Sequence, residues 1–353
     1  MKRVKEFEFL PLFEKFVKAN NRNKRTLHGG RRLTSGTKDN YTRLLDRLIE
    51  FQERKNFQLR IHPIHGSNKR IFNQERRYHQ KFYKAFTDYL YEDRGQFDNT
   101  VGANIKNLKV FYKWINTEEG ILTGDFYKSF YVWKEEIPVI VLQPEQLNYL
   151  IYDEEFESRL SDRLRRTKDI FVLGCTVALR VSDLLNLKKS NLEFLGEIVY
   201  LRTLSQKTGT YSKIKLPQYA VDIIKRNKNR SHKIFQPIGS SNLNKYIKEL
   251  AEEAGWTYEY PKIRSKRGKP VVQYKKGIRG KQYRFCDLLS SHTMRRTAIT
   301  TMLNLGVDEG NVRKISGHSP GSKEFYKYVK YSQSRVDDDL DLMHEKLAQK
   351  RLI

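Results

Sequence analysis

The spacing of large apolar residues sets the first limit on what this chain can fold into. Phe7, Leu10, Phe13, Phe16 and Val17 fall three and four positions apart, the stripe of a helix with one buried face. A second stripe (Tyr41, Leu44, Leu45, Leu48, Ile49) follows Thr37, a residue type that caps helix starts. Phe82, Tyr83, Phe86, Tyr89 and Leu90 mark a third helix. Ile105, Leu108, Phe111, Tyr112 and Ile115 mark a fourth, with Gly95 and Gly102 near the break between them. The front of the chain therefore reads as a helical bundle. The segment WKEEIPVIVLQPEQL then changes character, and Pro144 suits the first turn of a new helix. The expected boundary gives two domains, 1–134 and 135–353, in keeping with a 353-residue length.

After the boundary the pattern is mixed. Helices are expected near 145–152, 170–179, 220–228, 242–254, 295–305 and 311–316. Residues 197–216, with Gly209 at the turn and SKIKL alternating after it, read as a small antiparallel unit. The fold class is mainly α with a small β component (α+β).

Charge narrows the partner. Lys plus Arg number 68 against 41 Asp plus Glu, a balance of +27, and such self-repulsion calls for a polyanion. With 38% hydrophobic and 12% aromatic residues the chain has too much core material for a disordered basic tail. Nucleic acid leads, and no long helix with one basic and one apolar face points to a membrane. Residues 256–285 hold ten Lys or Arg against one Glu, interleaved with Tyr258, Tyr260, Tyr274 and Tyr283. This segment reads as an extra DNA contact through Lys262, Arg264, Lys266, Arg267, Lys269, Lys275 and Lys276. Lys24, Arg25, Arg31 and Arg32 form a second basic loop. Cys175 and Cys286 are too few for a disulfide framework and form no CxxC pair, which fits a reducing cytoplasm; a nucleic-acid partner makes nucleoid association the expected location there.

Three segments place phosphate-capable side chains beside apolar helices. In VALRVSDLL, Arg180 follows a buried run and needs an anion or carbonyl partner, with Asp183 the internal alternative. In SHTMRR, His292 and Arg295 are three apart and share a helix face. In SGHSPGSKEFYKYVKY, His318 sits in a Gly-His-Ser turn before Tyr326, Tyr328 and Tyr331. On a helix, residues two apart point about 200° from one another, so Tyr326 and Tyr328 cannot face one phosphate together.

In this order the segments resemble the tyrosine recombinase, or phage integrase, family. That family's pattern is an arginine in a TGLR-like segment, a hairpin lysine, an HxxR pair, a GH step and a nearby tyrosine. The resemblance assigns these roles to Arg180, Lys207 in SQKTG, His292 and Arg295, His318, and a tyrosine of FYKYVKY. The family's F-x-K-Y-[IV]-K step puts Tyr328 in the nucleophile slot, with Tyr326 as the alternative. It further implies a helical core-binding (SAM-like) domain in front of a catalytic domain; the chain is expected to depart from temperate-phage integrases in that helical stripes beginning at Phe7 leave no room for an arm-binding module.

What the resemblance implies is chemistry without cofactor or metal. Arg180, Arg295 and His318 would stabilise charge on the phosphate oxygens, and His292 would take the tyrosine proton. Lys207 would protonate the departing 5′ oxygen, leaving a 3′-phosphotyrosine. The partners implied are double-stranded DNA and further copies of the chain, a tetramer on two sites, with DNA-bending accessory proteins. Integration or excision of a mobile element is the expected purpose. A type IB topoisomerase-like enzyme shares the chemistry, and a non-catalytic DNA-binding regulator with this fold is the rival from another class. Candidates for all six roles argue against the latter.

Overall fold

The structure, a computed structural model, describes residues 6–22, 32–64, 69–204, 209, 211–227, 232–275, 277, 280–319, 321–332, 340 and 343–344. Lys24, Arg25, Arg31, Lys207 and Lys276 lie outside them, as does most of the tail, including Asp337, Asp338 and Asp339. The chain forms two compact units, one of residues 1–137 with 263–273, the other of residues 138–262 with 274–353.

In chain order the first elements are β1 (Phe7–Glu8), α1 (Phe9–Asn21), α2 (Ser35–Lys55), β2 (Arg60–Ile61), α3 (Lys69–Glu92) and α4 (Asp98–Thr117). Next come α5 (Pro144–Tyr152), α6 (Glu154–Arg159), α7 (Asp162–Val177), α8 (Val181–Leu185), β3 (Leu192–Leu195), β4 (Ile198–Leu204) and β5 (Tyr211–Lys215). After α9 (Gln218–Arg226) and α10 (Ser240–Glu253) the chain forms β6 (Lys262–Lys266) and β7 (Lys269–Gln273). It ends in α11 (Phe285–Leu288), α12 (Ser291–Asn304), α13 (Glu309–Ser316) and α14 (Lys323–Ser332).

Stripes of aromatic residues build the helical unit. Phe9, Phe13 and Phe16 of α1 and Phe111 of α4 are fully buried, with Phe111 ring centroids 5.0, 4.5 and 5.6 Å from the three. Burying each ring removes a large apolar area from water, worth about 1.5–3 kcal/mol per side chain. Thr34, rather than the expected Thr37, caps α2: its hydroxyl accepts from the Thr37 N–H at 3.3 Å. The two threonines are three apart, so either fits the sequence rule. At Gly102 a Cβ would lie 1.9 Å from the Trp133 carbonyl oxygen, so α4 needs glycine where that backbone crosses.

The basic segment read as a DNA contact supplies the hairpin β6–β7, which belongs to the helical unit. Its turn, Arg267–Gly268, has φ of 52° and 76°, the pair of positive values that a tight two-residue hairpin turn demands. Both turn amides donate to fully buried Asp98, at 2.7 and 2.8 Å, and the Tyr91 hydroxyl donates to the same carboxylate at 2.5 Å. Arg264 donates twice to Glu135, at 3.1 and 2.6 Å, and the Ser265 N–H donates to it at 2.5 Å. Arg267 pairs with Asp88 and Glu92 and lies over the Tyr91 ring.

In the second unit α7 is buried from Thr167 to Val177 except at half-buried Thr176. Gly174 lets α12 approach, since a Cβ there would meet the Met294 sulfur at 2.6 Å. The sheet runs β3–β4–β5, all antiparallel, with Leu201 opposite Ile214 on its buried side. Ser212 of β5 donates to the Lys314 carbonyl at 2.6 Å, tying the sheet to α13. No helix among the described residues is long and apolar enough to cross a membrane.

Candidate active site

Helix ends of the second unit aim the site's side chains. Ala178 closes α7 in the left-handed region, φ 54°, and turns the chain so that half-buried Arg180 becomes the residue before α8. A side chain bearing Cβ at that φ costs about 1–2 kcal/mol. Asp183, one turn on, is buried, and its Oδ1 has no hydrogen-bond partner among the described residues. His292 lies in the first turn of α12 and Arg295 one turn later on the same face. His292 is solvent-accessible, while Arg295 is buried. Gly317, φ 61°, ends α13; its N–H and that of His318 bond the Lys314 and Arg313 carbonyls, at 3.2 and 3.0 Å. That cap turns the His318 ring back toward Arg295.

Arg295 is the hub. Its Nη1 donates to the Ala178 carbonyl at 3.0 Å, and its Nη2 lies 3.1 Å from His318 Nε2. Among the described residues no carboxylate is within ion-pair distance of it. Burial, then the nearby charge of Arg180, pull its pKa down from 12.5 to about 10. Burial, then Arg295 and Arg180, lower His318 from 6.5 to about 3, so its ring is neutral near pH 7. Burial and the charges of Arg296 and Arg295 lower His292 as well. These mutual effects bring Arg180, His292, Arg295 and His318 into one electrostatic neighbourhood.

The three tyrosines separate on α14. Phe325 is fully buried, and Tyr328 and Val329, three and four residues on, share its face beside Ala178, Ala298 and Ile299. The Tyr328 ring centroid is 6.1 Å from that of His318. Tyr326 is 49% exposed and lies under the Arg313 guanidinium, 5.0 Å away. The Tyr331 side chain lies outside the described residues.

The other expected positions divide. Lys207 falls in the connection between β4 and β5, outside the described residues. Arg264 and Arg267 are engaged by carboxylates as described above, and Lys275 pairs with Asp287. Lys266 lies over Phe97, Lys262 over Tyr283, and Arg32 and Lys269 are exposed. Three of the cations expected at DNA, Arg264, Arg267 and Lys275, thus have carboxylate partners within the chain. Sequence reasoning missed Ser316, whose hydroxyl is 2.8 Å from His318 Nδ1; a serine directly before the GH step was the available signal. Among the described residues no three His, Cys, Asp or Glu side chains are grouped to hold a metal ion.

Residues 142–335 match the sequence profile of the Phage integrase family. Tyrosine recombinase XerC of Staphylococcus aureus (strain JH9) is 25% identical over 243 residues, covering 67% of this chain and 71% of the relative. A lambda integrase dimer bound to a COC′ core site superposes with TM-score 0.60 at 13% identity, over 92% of this chain and 78% of that one. XerH recombinase in a post-cleavage complex with a palindromic difH substrate gives 0.58 at 11% identity, over 97% and 99%. A lambda integrase tetramer on a Holliday junction gives 0.56 at 13% identity, over 90% and 76%.

Proposed function

The chain belongs to the phage integrase family and is a tyrosine-type site-specific DNA recombinase, and from that premise we propose that it cuts and rejoins strands through a phosphotyrosine on Tyr328. One observation carries the choice of site: a buried arginine, Arg295, with no carboxylate partner among the described residues, bonded to His318, whose ring adjoins Tyr328. A buried cation without an anion is costly, and a phosphodiester arriving beside it removes that cost.

In the proposed step the Tyr328 oxygen attacks phosphorus, the bond from phosphorus to the 5′ oxygen breaks, and a 3′-phosphotyrosine and a free 5′-hydroxyl result. Arg180 and Arg295 meet the growing charge on the non-bridging oxygens. His292, kept neutral by its lowered pKa and open to solvent, accepts the phenolic proton directly or through water. Lys207 returns a proton to the 5′ oxygen. The new ester conserves the energy of the broken one, so the 5′-hydroxyl of another strand reverses the step and exchanges partners. We assign DNA contacts to Arg32, Lys262, Lys266 and Lys269, and to Lys24, Arg25, Arg31 and Lys276 from the sequence alone. The proposed setting is integration or excision of a mobile element within the cytoplasm. Four copies would act on two sites, aided by DNA-bending proteins.

The test incubates the protein with nicked suicide duplexes of random sequence, in EDTA, and looks for a covalent protein–DNA band. The reading expects a band in the native chain and in Tyr326→Phe, and none in Tyr328→Phe. Salt-sensitive DNA binding without any band would favour a non-catalytic regulator.

A further inference from the structure

The row that β4 and β5 turn inward is Val199, Leu201, Thr203, Ser212 and Ile214, all buried. It is apolar except at the end beside the connection 205–210, where Thr203 stands opposite Ser212. A buried hydroxyl is costly unless bonded, and a valine would fill this strand position without that cost. Ser212 has a specific partner: its Oγ donates to the Lys314 carbonyl at 2.6 Å, across 102 residues of sequence. That carbonyl belongs to the last turn of α13, where carbonyls lack helical partners. It also accepts from the Gly317 N–H at 3.2 Å, and Gly317 is the left-handed residue that turns the chain into His318. One oxygen thus joins strand β5 to the turn that carries His318. Five residues before Ser212 stands Lys207, in the connection between the two strands.

We propose that Ser212 is a positioning residue that fixes the His318 turn against the β4–β5 hairpin, so that the phosphate-binding side chains of the helices and the lysine of the hairpin act on one phosphate. The catalytic meaning of this rests on the recombinase reading of His318 and Lys207; the tie itself rests on the hydrogen bond. Without the hydroxyl the Lys314 carbonyl keeps the longer bond from Gly317, and the turn loses this link to the sheet. Ser212 is buried against α13, so it acts through His318, and its removal should cost little once the His318 ring is gone.

The experiment measures single-turnover adduct formation on the suicide duplex, with DNA affinity and amide exchange of the full chain beside it. Ser212→Ala should slow adduct formation about 10–100-fold, the cost of displacing a group at the reacting centre, and leave DNA affinity unchanged. Ser212→Thr keeps the hydroxyl and should restore the rate. Exchange at Gly317 and His318 should quicken about 2–12-fold in Ser212→Ala, the factor for one hydrogen bond. In a His318→Ala chain the same substitution should slow the residual rate by less than about 2-fold, because the two residues act as a unit. An unchanged adduct rate or unchanged exchange in Ser212→Ala, or the same cost in the His318→Ala chain as in the native one, would overturn the proposal. Failure of the recombinase reading looks different: the native chain then forms no adduct, while exchange at Gly317 and His318 still decides whether Ser212 holds the turn.

Discussion

Two sets of arginines in this chain carry the same charge in opposite surroundings. In the helical unit Arg264 meets the buried carboxylate of Glu135, and Arg267 meets Asp88 and Glu92. In the second unit Arg295 is buried beside Arg180 and two lowered histidines, its bonds going to a carbonyl and an imidazole. The first set is neutralised within the chain and holds a hairpin in place; the second leaves a positive site, the one proposed above to receive a phosphate. A charge of +27 says nothing about which is which. The partner of each guanidinium does.

The largest effect that would sharpen this contrast is on stability. Arg264→Ala strands the buried Glu135 charge and should destabilise the helical unit by about 3–5 kcal/mol, the cost of breaking a buried pair. Urea unfolding with hydrogen exchange at β6–β7 measures it. A shift below about 0.5 kcal/mol would break the contrast.

Arg295→Gln should do the reverse. Adduct formation should fall about 10²–10³-fold, about 2.7–4 kcal/mol of lost transition-state stabilisation, while thermal stability does not drop. Single-turnover rates and melting curves, taken together, report both halves.

Acid should separate the two regions by pH. The unfolded chain protonates His318 near 6.5, whereas the folded ring resists until about 3. Its contribution is thus complete above about 6.5 and is lost as pH falls toward 3. Glu135 is held below its ordinary 4.5, because the Arg264 side chain and the Ser265 and Asn99 amides outweigh its burial. Its contribution is complete above 4.5 and is lost as pH falls through the lower folded value. Hydrogen exchange during acid titration should therefore show α12 and α13 loosening before the β6–β7 hairpin.

The smallest effect concerns the strained cap. Ala178→Gly should stabilise the second unit by about 1 kcal/mol, since glycine carries no penalty at φ 54°, and should leave adduct formation near the native rate. A loss of stability there would contradict the strain assigned to that residue.

How far the sequence reaches follows from the range of the interactions involved. The stripe of Phe9, Phe13 and Phe16 is local, and α1 lies where that spacing puts it, though β1 takes Phe7 and Glu8 for a two-residue pairing with Arg60 and Ile61. Pro144 begins α5 as its fixed φ suggests. The candidates Arg180, His292, Arg295, His318 and Tyr328 could be picked out because each stands in a short motif. The docking of the hairpin was not, because Asp98 and Glu135 precede it by more than a hundred residues and no local pattern ties a carboxylate to a distant turn amide. Ser316 escaped notice because its contact with the His318 ring shows only in the folded chain.

The most direct measurement traps the covalent complex on a suicide duplex, digests protein and DNA, and identifies by mass spectrometry the peptide that keeps the nucleotide. The predicted result is one 3′-phosphonucleotide on Tyr328. A nucleotide on Tyr326 or Tyr331, or a 5′ linkage, would contradict the assignment of the site.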